Sequence, residues 1–403
     1  MRIALATVGT TGDVRPFTNL SRRLVERGHE VTAISWPVHR TALSQSGVRV
    51  EVAGPHADPG RIAAVAADAA ERGPMEQVAI LRDFHLADGE AHYRRLRELL
   101  PGNDLVLLHG IHALAQAAAM DGGIPWATAV FDPVLLPTAA APPPGMPSLG
   151  PANRLLWGIL DRMLQRTARP LDDLLQRAGS AQRGLALFQA RSPLLHLVAC
   201  SPTVIRVPPD LPSSTHVTGA WLDRSTPSPL PDELETFLTE GAAPIVVTFG
   251  SMSGASEDAL AVAIRAVLDG GRRVVLQGGA GERSPNLLPV GAIDHRALFP
   301  RAALVVHHGG AGTTHAAVAA GVPSVVVPHV GDQRYWADRL RQLGAAPDPV
   351  PVRGLDGRQL ADAVLAAAAD PRLRESARTL AQAIEREDGI ESAVTRLERA
   401  ASA

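Results

Sequence analysis

The sequence Ala303-Leu-Val-Val-His-His-Gly-Gly-Ala-Gly-Thr-Thr314 decides the fold, and a helical pattern follows it over residues 315–320. Its apolar start predicts a buried strand, and its glycines predict a tight turn into a helix capped by Thr313 or Thr314. Glycine lets a ligand approach the backbone, while a helix N-terminus offers unpaired N–H groups and a partial positive charge. The unit therefore suits a diphosphate, although the same glycines could serve tight packing alone.

Two histidines, His307 and His308, stand just before these glycines. An imidazole beside a helix N-terminus strengthens the case for anion binding. The spacing matches neither the P-loop GxxxxGK[ST] nor the dinucleotide motif GxGxxG. Kinase and dehydrogenase interpretations therefore lose their main support.

Strand and helix patterns alternate along the whole chain, which is typical of βαβ units around a parallel sheet. In the first half, strands are predicted over residues 3–8, 30–35, 49–52, 104–109, 126–130 and 194–200. A proline- and serine-rich stretch, 208–231, is typical of a linker. The pattern then restarts, with predicted strands over residues 244–250, 273–278, 303–307 and 324–328.

A chain of 403 residues is too long for one compact core, so we predict two α/β domains. Each is expected to be a Rossmann-like, doubly wound fold, with the N-terminal domain over residues 1–212 and the C-terminal domain over residues 213–380. Ligands in such folds bind beyond the carboxyl ends of the strands. The cleft between two facing domains is therefore the expected site.

The composition excludes several protein classes. Hydrophobic residues make up 46% and charged residues 20%, and the interspersed charges sum to -2, which argues against a nucleic-acid-binding protein. The single cysteine, Cys200, excludes an intramolecular disulfide and fits a reducing compartment. No stretch approaches the roughly 18 to 20 apolar residues of a membrane-spanning helix, and the first residues predict a strand and not a signal peptide. We expect a cytoplasmic protein.

Two stretches together resemble one known family. Residues 299–333 include His307-His-Gly-Gly-Ala-Gly-Thr-Thr314 and Val327-Pro-His-Val-Gly-Asp-Gln333, and they resemble the donor-binding region of bacterial family 1 glycosyltransferases of the GT-B fold. Gly9-Thr-Thr-Gly-Asp-Val-Arg-Pro16 resembles the opening motif of that family, which includes natural-product and sterol glucosyltransferases. The resemblance covers essentially the whole chain. It implies a terminal helix over residues 381–403 that packs back on the N-terminal domain.

The resemblance implies an inverting, metal-independent transfer of a hexose or deoxyhexose from a UDP- or TDP-sugar to a small-molecule hydroxyl. The implied diphosphate contacts are His308, Gly310, Ala311, Gly312, Thr313 and Ser251. The implied sugar contacts are Asp332 and Gln333, and the implied nucleobase loop, 293–298, contains Ile293 and His295. N–H groups and an imidazole can stabilise the charge that builds on a departing diphosphate, and no Asp-x-Asp pair suggests a divalent ion or other cofactor.

Candidates for the general base follow two strands of the first half. Asp13 comes after the first strand and matches a position proposed as the base in this family, although it could instead cap a helix beginning near Val14. Asp132 follows the fifth strand and is the second candidate. His109, His112 and His85 are candidates to line an acceptor pocket, since the further ligands that a metal pair needs are not evident nearby.

Several alternatives stay open. A proline-rich stretch, 135–151, either packs onto its own domain or forms part of the acceptor pocket. A sugar-nucleotide epimerase or hydrolase would need no acceptor pocket, and an inert donor-binding helper would be expected to lose donor contacts that are present here. The acceptor, the sugar, the nucleobase and the choice between monomer and homodimer are not predicted.

Overall fold

The computed structural model describes residues 1–403 except 57, 71, 145, 188–189, 250–256, 279–281 and 403. The chain divides into two compact units, each of the predicted α/β class. The first unit comprises Met1–Ile62, Gly73–Leu222 and Asp388–Ala403. The second comprises Ala63–Arg72 and Asp223–Glu387.

A parallel sheet forms the centre of the first unit. Its strands are β1 (Arg2–Ala6), β2 (Glu30–Ser35), β3 (Arg49–Val52), β4 (Leu105–His109), β5 (Trp126–Val130), β6 (His196–Val198) and β7 (Thr215–Val217). They lie in the order β3-β2-β1-β4-β5-β6-β7. β4 is buried at every position, as expected for a central strand covered by helices on both faces.

The second unit contains a smaller parallel sheet. Its strands are β8 (Ile245–Thr248), β9 (Val274–Gln277), β10 (Leu287–Val290), β11 (Leu304–His307) and β12 (Ser324–Val326). They lie in the order β10-β9-β8-β11-β12. The apolar runs that predicted β8 and β11 are buried along their whole length.

Helices connect and flank the strands. In chain order they are α1 (Thr11–Glu26), α2 (Arg40–Ser44), α3 (Pro59–Ala70), α4 (Pro74–His85), α5 (Gly89–Leu99), α6 (Ala113–Asp121), α7 (Asn153–Thr167), α8 (Arg169–Arg177), α9 (Asp232–Thr239), α10 (Glu257–Asp269), α11 (His295–Leu298), α12 (Ala311–Ala319), α13 (Gln333–Gln342), α14 (Gly357–Ala369), α15 (Pro371–Glu385) and α16 (Gly389–Ala401). Among the helices described, none has both the length and the apolar character that a membrane span requires.

The strand order reverses direction once in each sheet, at β1/β4 and at β8/β11. The carboxyl ends of parallel strands meet at one edge, and the reversal opens a crevice where ligands commonly bind. In the first unit, Asp13 follows β1, His109 is the last residue of β4 and Asp132 follows β5. In the second, the segments after β11 and β12 contain the two motifs quoted above.

Two short strands were missing from the sequence prediction. β10 contains Pro289, which cannot donate to a ladder, and it lies at the sheet edge, where proline is tolerated. β7 has three residues and interrupts the proline-rich stretch that was interpreted as a linker. Because β7 pairs with β6, the first unit extends to Leu222, beyond the predicted boundary at residue 212.

The chain ends in the first unit. α16 lies against α1, and Glu391 and Glu398 form ion pairs with Arg23 and Arg27. The unit boundary falls after Glu387, seven residues later than the predicted start of the terminal helix at residue 381. α15, which precedes that boundary, packs against α12 of the second unit.

Candidate active site

Asp13 lies in the first turn of α1, where its carboxylate is folded back towards the start of the helix. Its Oδ2 accepts hydrogen bonds from Thr10 N at 2.7 Å and Thr10 Oγ1 at 2.8 Å. A side chain on Gly9 would collide with this oxygen, because a Cβ there would lie 2.4 Å from Oδ2. Thr10 is the N-cap and the helix begins at Thr11, so Asp13 is not the cap of a helix that begins near Val14. The carboxylate serves the capping interaction with one oxygen only.

The other oxygen of Asp13 faces a histidine of fixed tautomer. His109 Nδ1 lies 3.2 Å from Val8 O, and because a carbonyl can only accept, Nδ1 carries the proton. His109 Nε2 lies 3.9 Å from Asp13 Oδ1. Burial lowers the pKa of His109, although the charge of Asp13 opposes that shift. The Nε2 atom of the neutral imidazole therefore presents a lone pair towards Asp13 Oδ1. Because both atoms are acceptors, they cannot hydrogen-bond to each other, but both could accept from a hydroxyl group placed near them.

Asp132 adds a second carboxyl to this region. Its Oδ1 accepts a hydrogen bond from Val134 N at 2.9 Å. Burial, together with the charge of Asp13, raises the pKa of Asp132 to about 6 against the opposing hydrogen bond from Val134 N. The two predicted base candidates thus interact electrostatically.

Aromatic side chains pack around His109. Phe131 lies 5.1 Å from His109 and Phe17 lies 5.9 Å from it, measured between ring centroids. Trp221 lies against both phenylalanines, at 5.9 Å and 5.8 Å. This cluster draws on three distant segments, so the sequence pattern did not reveal it.

Two of the predicted acceptor histidines line one small pocket that is partly open to solvent. His85 ends α4 and His112 precedes α6, and both line this pocket. His92 of α5 completes the set, with its ring centroid 5.1 Å from that of His112. His109 lies outside this lining, although Val8 both lines the pocket and accepts its hydrogen bond.

Asp210 fastens the proline-rich stretch 135–151 to its own unit. The Asp210 carboxylate accepts hydrogen bonds from Thr138 Oγ1 and from Ala139 N, the latter at 2.8 Å, and it pairs with Arg154 at 2.6 Å. Trp157 of α7 donates to Ala141 O at 2.9 Å. The described residues that line the histidine pocket include none from this stretch. The contacts seen favour packing on its own domain over a role in that pocket.

In the second unit, α12 begins directly after the glycines. Gly310 is the N-cap and has no side chain with which to cap the helix. The N–H groups of Ala311, Gly312 and Thr313 belong to the first turn, where an α-helix supplies no acceptor of its own. Gly312 is exposed and Thr313 is half-buried. This helix start can therefore receive an anion.

His308 lies beside this helix start. A Cβ on Gly310 would lie 2.4 Å from His308 Nε2, so only glycine leaves room for the imidazole here. Burial, together with the neighbouring histidines, lowers the pKa of His308 to about 4, so the ring is neutral at pH 7. Within the part of the chain that the structure describes, His308 Nδ1 is buried and has no hydrogen-bond partner.

The two predicted sugar-binding residues, Asp332 and Gln333, make different hydrogen bonds. Gln333 is 6% exposed, and its Oε1 accepts hydrogen bonds from His329 N at 2.7 Å and Val330 N at 3.0 Å. This oxygen therefore holds the preceding turn, and a contact of the Gln333 amide with a sugar stays a prediction. Asp332 is half-buried and accepts a hydrogen bond from Trp336 Nε1 at 2.6 Å. Its role towards a sugar stays a prediction.

The predicted nucleobase loop is held by its own side chains. His295 stacks on Phe299 at 4.2 Å, and its Nε2 donates to Gln277 Oε1 at 2.9 Å. Ile293 O accepts from Gln277 Nε2 at 3.4 Å. Although burial raises the pKa of Asp294, hydrogen bonds led by Arg296 hold it at about 2. The loop is rigidly anchored, which suits a backbone contact to a base.

One predicted residue, Ser251, lies outside the described residues. Two residues that the sequence interpretation passed over lie at the candidate sites. His329 lowers the pKa of His308, and its position in the quoted Val327–Gln333 motif was the available signal. His39 donates from Nε2 to Gly9 O at 3.0 Å, and no sequence pattern connected these two residues.

Known proteins match this chain over most of its length. Residues 278–397 match the family described as erythromycin biosynthesis protein CIII-like, C-terminal domain. O-mycaminosyltylonolide 6-deoxyallosyltransferase from Streptomyces fradiae is 34% identical, over 99% of this chain and 97% of that protein. Vancomycin aglycone glucosyltransferase from Amycolatopsis orientalis is 32% identical, over 87% of each. The chain belongs to the family 1 natural-product glycosyltransferases.

The fold of the chain is similar to that of solved glycosyltransferase structures. The crystal structure of glycosyltransferase VinC in complex with DTDP has a TM-score of 0.70 to this chain at 22% identity, with 100% of both chains covered. The predicted GT-B fold is thereby confirmed. The matched family and both relatives agree that this chain is a glycosyltransferase. The epimerase, hydrolase and helper alternatives are set aside.

Proposed function

We propose that this glycosyltransferase moves a hexose or deoxyhexose from a TDP- or UDP-sugar to a hydroxyl of a small natural-product acceptor, with inversion and without a metal ion. The observation that carries the proposal is the neutral, buried His308 beside the open N-terminus of α12. An N–H donor and a helix start together favour a diphosphate over a neutral ligand.

These groups act on the leaving group. As the anomeric C–O bond breaks, negative charge grows on the diphosphate oxygen that departs. A hydrogen bond from His308 and from the N–H groups of Gly312 and Thr313 strengthens as this charge develops. Preorganised donors of this kind typically contribute about 3 to 4 kcal/mol each to lowering a barrier. The proposal needs no cation because these donors supply the stabilisation.

Asp13 is proposed to act on the acceptor. Its Oδ1 takes the proton of the acceptor hydroxyl while that oxygen forms the new bond to the anomeric carbon. The electron pair of the broken C–O bond leaves with the nucleoside diphosphate, so charge and protons balance. Attack by the acceptor in a single displacement inverts the anomeric carbon, and no second carboxylate is required as a nucleophile.

Relatives support the choice of ligands. VinC is bound to DTDP, and the names of two relatives specify a 6-deoxyallosyl transfer to O-mycaminosyltylonolide and a glucosyl transfer to vancomycin aglycone. We therefore propose a thymidine or uridine diphosphate donor and an acceptor from the same broad class of hydroxylated natural products.

The proposal is tested by transfer assays in EDTA with a panel of TDP- and UDP-sugars. O-mycaminosyltylonolide, vancomycin aglycone and a sterol serve as acceptors, and nuclear magnetic resonance determines the anomeric configuration of each product. We expect at least one donor to bind and to react without metal, with inversion. A retained anomer, a requirement for added divalent ions, or no binding of any sugar nucleotide would contradict the corresponding part of the proposal.

A further inference from the structure

One histidine of the stretch 303–314 plays no part in the proposed mechanism. His307 is the last residue of β11, and its side chain is fully buried. Burial, together with the neighbouring histidines, lowers its pKa to about 3, so the ring is neutral at pH 7. Unlike the half-buried His308, His307 has no exposed surface with which to contact a diphosphate. Its side chain instead contacts the turn that leads into α12.

The His307 side chain closes a small loop of main chain. Its Nδ1 accepts a hydrogen bond from Gly309 N at 3.1 Å, so the loop encloses the backbone of His308. Because an N–H group can only donate, Nδ1 is unprotonated and the proton of the neutral ring is on Nε2. A side chain that accepts from the N–H two residues further on is typical of asparagine and aspartate in turns, where it fixes the backbone in between.

Both ends of this loop are held in place. His307 lies between β8 and β12, and its carbonyl oxygen accepts from Val327 N at 2.9 Å. At the other end, Gly309 has a φ of +88°, and a Cβ there would lie 2.9 Å from Gln333 O. The main chain of His308 is therefore fixed between a sheet strand and a closely packed glycine.

The second ring nitrogen of His307 argues against a role in packing alone. Among the residues described, His307 Nε2 is buried and has no hydrogen-bond partner. A buried donor without a partner destabilises the fold, whereas an apolar ring of similar shape would avoid this penalty. Packing would therefore be served better by phenylalanine. What the histidine supplies is the acceptor for Gly309 N.

We propose that His307 is a positioning residue, which fixes through Gly309 N the direction in which His308 presents its ring to the donor diphosphate. The His308 ring lies so close to the helix start that a Cβ on Gly310 would be 2.4 Å from its Nε2. A rotation of the His308 main chain would move the ring away from this place. The inference rests on the proposed function, because it requires that His308 acts on the leaving diphosphate.

Two substitutions separate the acceptor from the ring. His307→Phe keeps a planar ring and removes the acceptor, whereas His307→Asn keeps an acceptor bonded to Cγ and removes the ring. We expect kcat to fall by about 10- to 100-fold in His307→Phe and by less than about 5-fold in His307→Asn, because a misplacement of about 1 Å is costly. The KM for the sugar nucleotide should change less than kcat, since the positioned group matters most as charge develops. A role in packing alone predicts the reverse order of activities.

A double-mutant cycle tests whether His307 acts through His308. In the His308→Ala background, His307→Phe should lower kcat by less than about 3-fold, because the group that it positions is absent. His196→Phe is the matched control. His196 is also a buried strand histidine, its Nδ1 pairs with Thr128 Oγ1, and its Nε2 has no partner within the described chain. This variant should react at the normal rate, and the Tm reports whether each variant is folded.

Kinetics use the donor and acceptor from the panel above that react fastest. Activity of His307→Phe equal to or above that of His307→Asn, or additive losses in the double variant, would overturn the inference. If no pair reacts or the variants do not fold, the ring tautomer is measured by nuclear magnetic resonance in wild type labelled with ¹⁵N-histidine. A His307 ring protonated at Nδ1 could not accept from Gly309 N and would also overturn the inference.

Calorimetry with TDP and UDP on the wild type tests the proposed function separately. Failure of both nucleotides to bind would contradict the donor site itself. Binding that accompanies a fully active His307→Phe would contradict only the role of His307.

Discussion

The two candidate sites, one in each unit, consist of different chemical groups. In the second unit, the proposed diphosphate site consists of main-chain N–H groups at the start of α12 and one neutral imidazole, His308. In the first unit, two carboxyl groups and several neutral histidines are brought together by side-chain packing. A donor that always carries the same diphosphate can be bound by a backbone that changes little. An acceptor that differs between enzymes requires side chains, which can be substituted without altering the fold.

The largest expected effect is the loss of the base in the first unit. Asp13→Asn keeps an oxygen that can accept from Thr10 N and Thr10 Oγ1, so the helix cap is maintained while the charge is lost. We expect kcat/KM to fall by about 10²- to 10⁴-fold with little change in donor affinity. Steady-state kinetics and calorimetry with the nucleoside diphosphate measure the two quantities.

A matched control is Asp370→Asn, which changes the same side chain at an exposed helix cap whose carboxylate accepts from Arg372 N. It should leave both kcat/KM and the Tm unchanged, because asparagine caps helices about as well as aspartate. Full activity of Asp13→Asn would contradict this role and favour Asp132, the second predicted candidate for the base.

A smaller effect is expected from the imidazole of the second unit, because backbone N–H groups share its task. His308→Ala should lower kcat by about 10²- to 10³-fold, since the hydrogen bond to the leaving group matters most as charge develops. His308→Gln retains an N–H donor and should recover part of this loss. His216→Ala, in β7 of the other unit, is the control and should react at the normal rate.

The kinetic pattern distinguishes leaving-group stabilisation from simple donor binding. A rise in the KM for the sugar nucleotide with an unchanged kcat would show that His308 contributes equally to substrate and transition state. An unchanged kcat/KM would remove His308 from the diphosphate site altogether. Neither result is expected, because the ring is aligned beside Gly310 at the helix start.

This difference between the candidate sites of the two units also explains which site residues could be predicted from the sequence. The donor region was recognised because glycines, histidines and a helix start lie within one continuous stretch, 303–314. In the first unit, only isolated site residues, such as Asp13 and Asp132, could be predicted. Its candidate site forms where strands that are distant in sequence end side by side. The proximity of His92 to Trp36 depends on packing between α5 and the segment after β2, and no local pattern encodes it.

Two strands, β7 and β10, were not predicted from the sequence for a related reason. β10 is apolar, but its Pro289 argues against a strand, whereas the three residues of β7 show no apolar run. Each is stabilised by a neighbouring strand, β6 or β9, that was itself predicted. Likewise, Gln333 matched the family motif, yet its oxygen holds the turn at His329, a use that only the hydrogen bonds reveal.

The smallest effect expected is a change in pH dependence caused by Asp132. Burial and the charge of Asp13 raise its pKa to about 6 against the opposing hydrogen bond from Val134 N, so Asp132 is protonated below that pH and ionised above it. Ionisation places a second negative charge near Asp13 and favours proton transfer from the acceptor to Asp13. The kcat/KM of the wild type should therefore rise a few-fold through about pH 6, and this step should be absent in Asp132→Asn.

Stability gives an independent measure of the same group. Because the folded state raises the pKa of Asp132, its contribution to stability is present below the ordinary value and is lost as pH rises through about 6. Asp132→Asn should therefore have a higher Tm than the wild type at pH 8 and little advantage at pH 4. The contribution of Asp210 to stability depends on pH in the opposite direction, because hydrogen bonds led by Thr138 hold its pKa at about 2. Asp210→Asn should therefore lower the Tm at pH 8. A fall in the Tm of Asp132→Asn at pH 8 would contradict a raised pKa of Asp132 in the folded state.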